Sequence, residues 1–246
     1  MRDRIMRVAG AVFCATVALM PVLALAFDAN KASSNFDLVS SGDAELSARS
    51  IKTVDMGNVE LTSGRIVAAD PLAQPDRPAL AKTVPVGEYP VRLYEAFGRV
   101  AAASMRFAEG KPDHWELATI PGQDVGTLKD DEIFGYPVDA GLGSYMDADT
   151  LDLIGQREQL VQAQKPGSDV NYYDDVVASE LDANKGVYAL HRPVAGKKGN
   201  VAIFWSGWGD GFYPVFWGLD KDEHPLVLLT DFQVIENADG RRKPSL

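Results

Sequence analysis

Apolar and polar positions alternate along much of the chain, the period-two repeat of half-buried β-strands. Val59-Glu60-Leu61-Thr62 alternates, Ser63-Gly64 reads as a turn, and Arg65 to Ala69 runs back, which predicts a hairpin ended by Asp70-Pro71. Residues 71–83 carry Pro71, Pro75 and Pro78 and read as an irregular connection. Tyr89 to Phe97 and Arg99 to Phe107 lie either side of Gly98 and read as neighbouring antiparallel strands. His114 to Ile120 and Ile133 to Val138 follow as further strands. The C-terminal part adds Val187–Leu190, Asn200–Ser206, Phe212–Gly218 and Leu226–Phe232. The last three of these are apolar on both faces, as in strands covered from both sides.

Between these strands the period changes. Leu153, Ile154, Leu160 and Val161 fall on one helical face. Asp147, Asp149 and Asp152 read as acids favoured at the start of that helix, since their spacing does not continue as a calcium-binding loop. A second helix is predicted from Val170 to Ala183, with Tyr173, Val176, Val177 and Leu181 on one side and Asn184-Lys185-Gly186 as its cap. The Tyr172-Tyr173 pair reads as packing on that helix. Strands on this scale with two inserted helices give a β-rich α+β fold, a mostly antiparallel bent sheet or sandwich. The domain boundaries expected are a flexible polar leader over 27–50, a single globular domain over 51–236 and a basic tail over 237–246.

The N-terminal segment has a different character. Arg2, Arg4 and Arg7 precede an uncharged apolar stretch from Val8 to Ala26 that ends in Ala24-Leu25-Ala26. Basic start, apolar middle and small-residue end are the pattern of a secretory signal peptide over 1–26, with cleavage before Phe27. The alternative is an uncleaved membrane anchor, because the apolar run approaches spanning length. The expectation is a periplasmic or secreted protein with no stable membrane insertion after cleavage. Cys14, the one cysteine, would leave with the signal, so thiolate catalysis and cysteine-ligated zinc are not expected. Loss of Arg2, Arg4, Arg7 and Asp3 takes the net charge from −11 to −13. That field repels phosphate backbones, so nucleic-acid binding is not expected, and a cationic partner becomes more plausible.

The densest signal lies at Phe204-Trp205-Ser206-Gly207-Trp208-Gly209-Asp210-Gly211-Phe212-Tyr213-Pro214. One reading is a tight β-hairpin with Asp210-Gly211 in its turn. The other is a ligand loop with Trp208 as an aromatic platform, Tyr213 beside it and Asp210 as the charged contact. Asp70, Asp139 and Asp231 each end a predicted apolar strand. Converging at one edge with Asp210, they would form an acid/base pair or a cation site. Separately, each would only tie down its own turn. His114, His191 and His224 follow no zinc spacing, Ser206-Gly207 is outside a GxSxG elbow, and Gly141-x-Gly143 lacks the rest of a dinucleotide loop.

Several blocks resemble a known bacterial family. They are Gly64 to Pro71, Pro85 to Val91, Trp115 to Ala118, Val138 to Gly141, Ser206 to Gly211, and Asp231-Phe232. In this order they are similar to the domain of unknown function family 4241 (DUF4241), over roughly residues 58 to 235. The resemblance implies a common fold and a common site but no reaction, and a signal peptide departs from its many cytoplasmic-looking members. The expected activity is therefore a non-enzymatic binding or interaction module. It would use Asp70, Asp139, Trp208, Asp210, Tyr213 and Asp231 to take a cationic, sugar or protein ligand. The alternative is a hydrolase at the same place, dependent on carboxylates or a divalent metal. No cofactor or resident metal is expected.

Overall fold

The computed structural model describes Ser33, residues 35–129 and residues 132–235. The expected signal peptide and basic tail lie outside the described residues. Among the described residues, no helix is long and apolar enough to cross a membrane.

Among the described residues, twelve strands form three sheets, and their pairings are antiparallel. The six-stranded sheet joins β1 (Lys52–Leu61), β3 (Gly87–Ala96), β4 (Arg99–Arg106), β12 (Pro225–Asp231), β11 (Val215–Leu219) and β5 (His114–Leu117), in that order. The four-stranded sheet joins β2 (Ile66–Ala69), β7 (Leu142–Asp147), β9 (Val201–Trp205) and β8 (Tyr188–His191). A short ribbon pairs β6 (Tyr136–Val138) with β10 (Gly211–Tyr213). The fold class is thus the β-rich antiparallel α+β architecture that the alternation predicts.

Alternation along the four-stranded sheet assigns its two faces. Ile66, Ala68, Tyr145, Ala202 and Phe204 enter one apolar cluster together with Leu93, Ala103 and Met105 of the six-stranded sheet. The intervening Val67, Ala69, Leu142, Met146, Val201 and Ile203 enter a second cluster with Val161, Val176, Val177 and Leu181 from the helical segments. The small sheet is therefore a middle layer, which explains why its strands are apolar on both faces. The helical layer is α2 (Thr150–Gln164), a π-helical turn (Tyr173–Val177) and α3 (Ala178–Asp182). The second helix expected over 170–183 is thus shorter, and its first half is wound as a π turn.

Three expectations are corrected. The segments at 59–62 and 65–69 do not form a hairpin: β1 pairs with β3, and β2 with β7 in the other sheet. The turn between them changes sheets because buried Asp147 accepts the N–H groups of Ser63 at 2.9 Å and Gly64 at 3.2 Å. Gly64 holds φ +73°, where an added Cβ would meet the Val84 carbonyl oxygen at 2.1 Å. Asp147 thereby ends β7 and ties this crossover, and only Asp149 and Asp152 stand at the start of α2. The second correction is β7 itself, a buried strand concealed by Gly143, Ser144 and Asp147.

The third concerns the leader. Residues 36–39 form a 3-10 turn and α1 (Asp43–Ala48) follows. Leu38 and Leu46 are each 1% exposed, and Phe36 stacks on Trp115 at 4.5 Å. The Ser-, Asp- and Ala-rich composition suggested mobility, but its few apolar residues are spaced to fill the edge of the large sheet. Residues 35–50 are accordingly packed structure.

Candidate functional site

The glycine-dense segment is a crossover between sheets. β9 ends at Trp205 in the four-stranded sheet, and β10 begins at Gly211 in the ribbon with β6. Between them Gly207 and Gly209 take φ +65° and +94°. A Cβ at Gly207 would meet Phe232 Cβ at 2.7 Å and the Val100 carbonyl oxygen at 2.9 Å, so only glycine lets the loop lie this close to the core. The expected tight hairpin with Asp210-Gly211 in its turn is not formed, because the two flanking strands belong to different sheets.

Loop side chains hold the crossover in place. Ser206 Oγ and Tyr213 Oη both donate to the Gly209 carbonyl at 2.9 Å. Burial, opposed by a hydrogen bond and reinforced by the Asp210 charge, pushes the Tyr213 phenol up to about 12. Trp208 Nε1 donates to the Gln233 carbonyl at 3.2 Å. Arg99 donates to the Gly207 carbonyl at 2.8 Å and sets its guanidinium 4.6 Å from the centre of the Trp208 ring. Trp208 is therefore a packed, half-buried anchor with Arg99 over its face, and Tyr213 is buried. Neither is the open platform expected from sequence.

The four strand-end and loop aspartates divide into two kinds. Asp70 is fully buried; Oδ1 accepts the N–H groups of Leu72 and Ala73, at 3.0 and 3.3 Å. Its Oδ2 accepts those of Asp139 and Ala140 at 2.9 and 2.7 Å. Asp231 is also buried: Oδ2 takes Ser33 Oγ at 2.6 Å and Asn35 Nδ2 at 3.1 Å, and Oδ1 takes the Gln233 N–H at 2.8 Å. Both carboxylates are consumed as structural clamps. Asp139 and Asp210 are exposed. Val138 pairs with Gly211 at one end of this ladder, and Asp139 and Asp210 are the next residues of the two segments beyond it. Asp70 thereby ties positions 70 and 139 together through the backbone. The carboxylates themselves do not form one pocket.

Exposed aromatic residues stand before and after the crossover in the sequence. Trp205, entering the loop, is 50% exposed, and Phe212, leaving it, is 45% exposed. Phe97 is 49% exposed at the β3–β4 turn, two residues before the Arg99 that grips the loop. Trp205 and Phe212 were inside the segment singled out from sequence, but alternation alone does not tell which of its rings turn outward.

Two further groups were not assigned from sequence. Asp220, Asp222 and His224 bring ligand atoms within 4.8 Å of one another in the β11–β12 turn. Asp220 Oδ1 already accepts the N–H groups of Asp222 and His224, both at 2.8 Å, so the turn accounts for this cluster. The second group lies in the helical layer. His191, 1% exposed at the end of β8, meets Tyr172 Oη at 2.8 Å and both Glu180 carboxylate oxygens at 3.0 Å. Tyr172 is therefore more than helix packing. His191 lies 19 residues from Tyr172 and 11 from Glu180 along the chain, a spacing with no local signature.

No curated protein and no solved structure matches the chain. Residues 59–230, from β1 through most of β12, match the model of a family described as protein of unknown function (DUF4241). The matched span contains the Asp70 clamp, the β6–β10 ribbon and the glycine crossover, and by that match the chain belongs to the DUF4241 family.

Proposed function

We propose that the protein is an exported binding module whose recognition surface is the outer end of the β6–β10 ribbon. Asp139 and Asp210 supply the charge, and Trp205 and Phe212 supply the flanking apolar area. The observation that carries this reading is the division among the acids. Asp70 and Asp231 spend their oxygens on the fold, whereas Asp139 and Asp210 stand exposed with no ion-pair partner among the described residues. Exposed carboxylates together with half-exposed aromatic rings suit a cationic, extended protein segment. Lysine and arginine stems would pack on the rings while their heads meet the acids. The chain's net charge of −11 favours the same class of partner.

Binding is tested by titrating the protein with tetralysine while following tryptophan emission. The expected result is saturable, salt-sensitive quenching, because Trp208 stands two residues from Asp210 in the crossover. The change should disappear in the Asp139→Asn/Asp210→Asn double variant. No response at millimolar peptide, or an equal response in the double variant, refutes the reading. Export rests separately on the basic, apolar and small-residue order of residues 1–26. Its test is N-terminal sequencing of the protein from the cell envelope or medium. A chain starting at Phe27 is expected, and an intact Met1 chain retained in the cytosol refutes it.

A further inference from the structure

We propose that the groove between α2 and the proline-rich segment after β2 binds a linear aliphatic polyamine, a ligand with ammonium groups spaced along a methylene chain. The groove has a volume of about 650 Å³, within the range of small-molecule sites. Pro71, Pro75 and Asp76 line it from the segment after β2. Ala148, Leu151 and Ile154 supply apolar surface from the other side, where α2 begins. The site is separate from the β6–β10 ribbon end, and the inference stands independently of the function proposed there.

Gly155 marks the centre of the groove. With about 100° between successive helical residues, Ile154, Glu158 and Leu151 lie to one side of it and Gln159, Asp152 and Gln156 to the other. All of these residues line the groove. Glycine in the interior of a helix costs stability relative to alanine. At this position nothing in the fold demands it: Gly155 is not among the glycines of positive φ, and an added Cβ would meet nothing within 4 Å. The missing side chain leaves open the middle of the surface on which a ligand would lie.

The distribution of charge selects the ligand class. Asp76, Asp152 and Glu158 are exposed, and none forms an ion pair among the described residues. Arg157, the one basic residue of α2, falls on the side of the helix opposite Gly155. The three carboxylates are spread out. Helical rise alone separates positions 152 and 158 by about 9 Å, and the three do not gather within 4.8 Å of one another as Asp220, Asp222 and His224 do. One metal ion cannot meet all three, whereas cations spaced along a chain can. Methylene spacers would pack on the proline, leucine and isoleucine surface while the ammonium heads meet the acids. The Gln156 and Gln159 side-chain oxygens are acceptors for a secondary ammonium between them. No aromatic ring lines the groove, so it offers no stacking face to favour a guanidinium or quaternary ammonium.

The test titrates the full chain with spermidine by isothermal titration calorimetry. Saturable one-site binding is expected, and magnesium chloride in place of spermidine should give no saturable heat. Asp152→Asn/Glu158→Gln removes two charged acceptors and should weaken binding ~10-fold or more. Gly155→Leu fills the groove with every charge intact. It should abolish binding while the melting temperature holds or rises, because leucine is the better helix former. Asp139→Asn/Asp210→Asn should bind spermidine as the unaltered protein does, which separates the groove from the ribbon end. The proposal is overturned by the absence of saturable heat at millimolar spermidine or by magnesium binding equally well. Unchanged affinity in Gly155→Leu or in Asp152→Asn/Glu158→Gln also overturns it, as does a comparable loss in Asp139→Asn/Asp210→Asn.

Discussion

Asp70→Asn isolates the clamp that holds the turn after β6. In the native protein each carboxylate oxygen accepts two backbone N–H groups, from Leu72 and Ala73 on one side and from Asp139 and Ala140 on the other. An amide keeps one acceptor oxygen and turns an NH₂ toward the other pair of donors. Whichever way it is flipped, one pair of N–H groups faces another donor. An unsatisfied buried donor costs about 1–3 kcal/mol, so the pair sets a loss of ~3 kcal/mol, allowing water to reach the turn side. With an m value of ~3 kcal/mol per molar urea for a chain of this size, the unfolding midpoint should fall by ~1 M. Asp139→Asn is the control: it removes an exposed carboxylate and keeps the N–H that Asp70 holds, and should stay within about 0.5 kcal/mol of wild type. Asp70→Asn within that margin, or Asp139→Asn costing as much as Asp70→Asn, would refute the assignment of structural and exposed acids.

Three other outcomes follow from single contacts. Gly143→Ala would place a Cβ 2.5 Å from Tyr136 Oη and 2.8 Å from the Phe204 ring. Overpacking of that kind costs about 1–3 kcal/mol, and calorimetry should show the melting temperature lowered by ~5 °C; an unchanged value would contradict the packing of β7. Leu46→Ala empties a side chain 1% exposed beside the large sheet, and chemical denaturation should report a loss of about 2–5 kcal/mol, whereas a mobile leader would give none. Glu60 is held at a pKa of about 2, from 4.5, by the Arg192 guanidinium at 2.6 Å and then by the Gly199 N–H at 2.8 Å. Its folded pKa is depressed, so its stabilisation is complete above pH ~4.5 and is lost as pH falls toward 2. Urea midpoints of Glu60→Gln and wild type should therefore differ at pH 7 and converge near pH 2; a difference that grows on acidification would be inconsistent with that pair.

Period and punctuation alone determined the β-rich antiparallel class, the β3–β4 hairpin through Phe97-Gly98 and the helix at 150–164. These are short-range properties: alternation sets a face, and a residue pair at φ +55° and +74° sets a two-residue turn. The family blocks also marked the right segments, since Gly64, Asp70 and Gly207 each serve a backbone contact that few other residues could make. Partnership between segments was decided only by tertiary structure. Val59–Thr62 and Arg65–Ala69 look like a hairpin locally, but both faces of β2 must be buried, which only the middle layer provides. β7 was concealed because Gly143 and Ser144 are small for packing reasons that appear once Phe204 and the Ala69 carbonyl lie against them. The same holds for the site. Sequence put Asp70, Asp139, Asp210 and Asp231 at turns, and the fold alone decided which oxygens meet backbone N–H groups and which meet solvent. Tyr172, His191 and Glu180 carry no local pattern, because three elements distant in the chain bring them into contact.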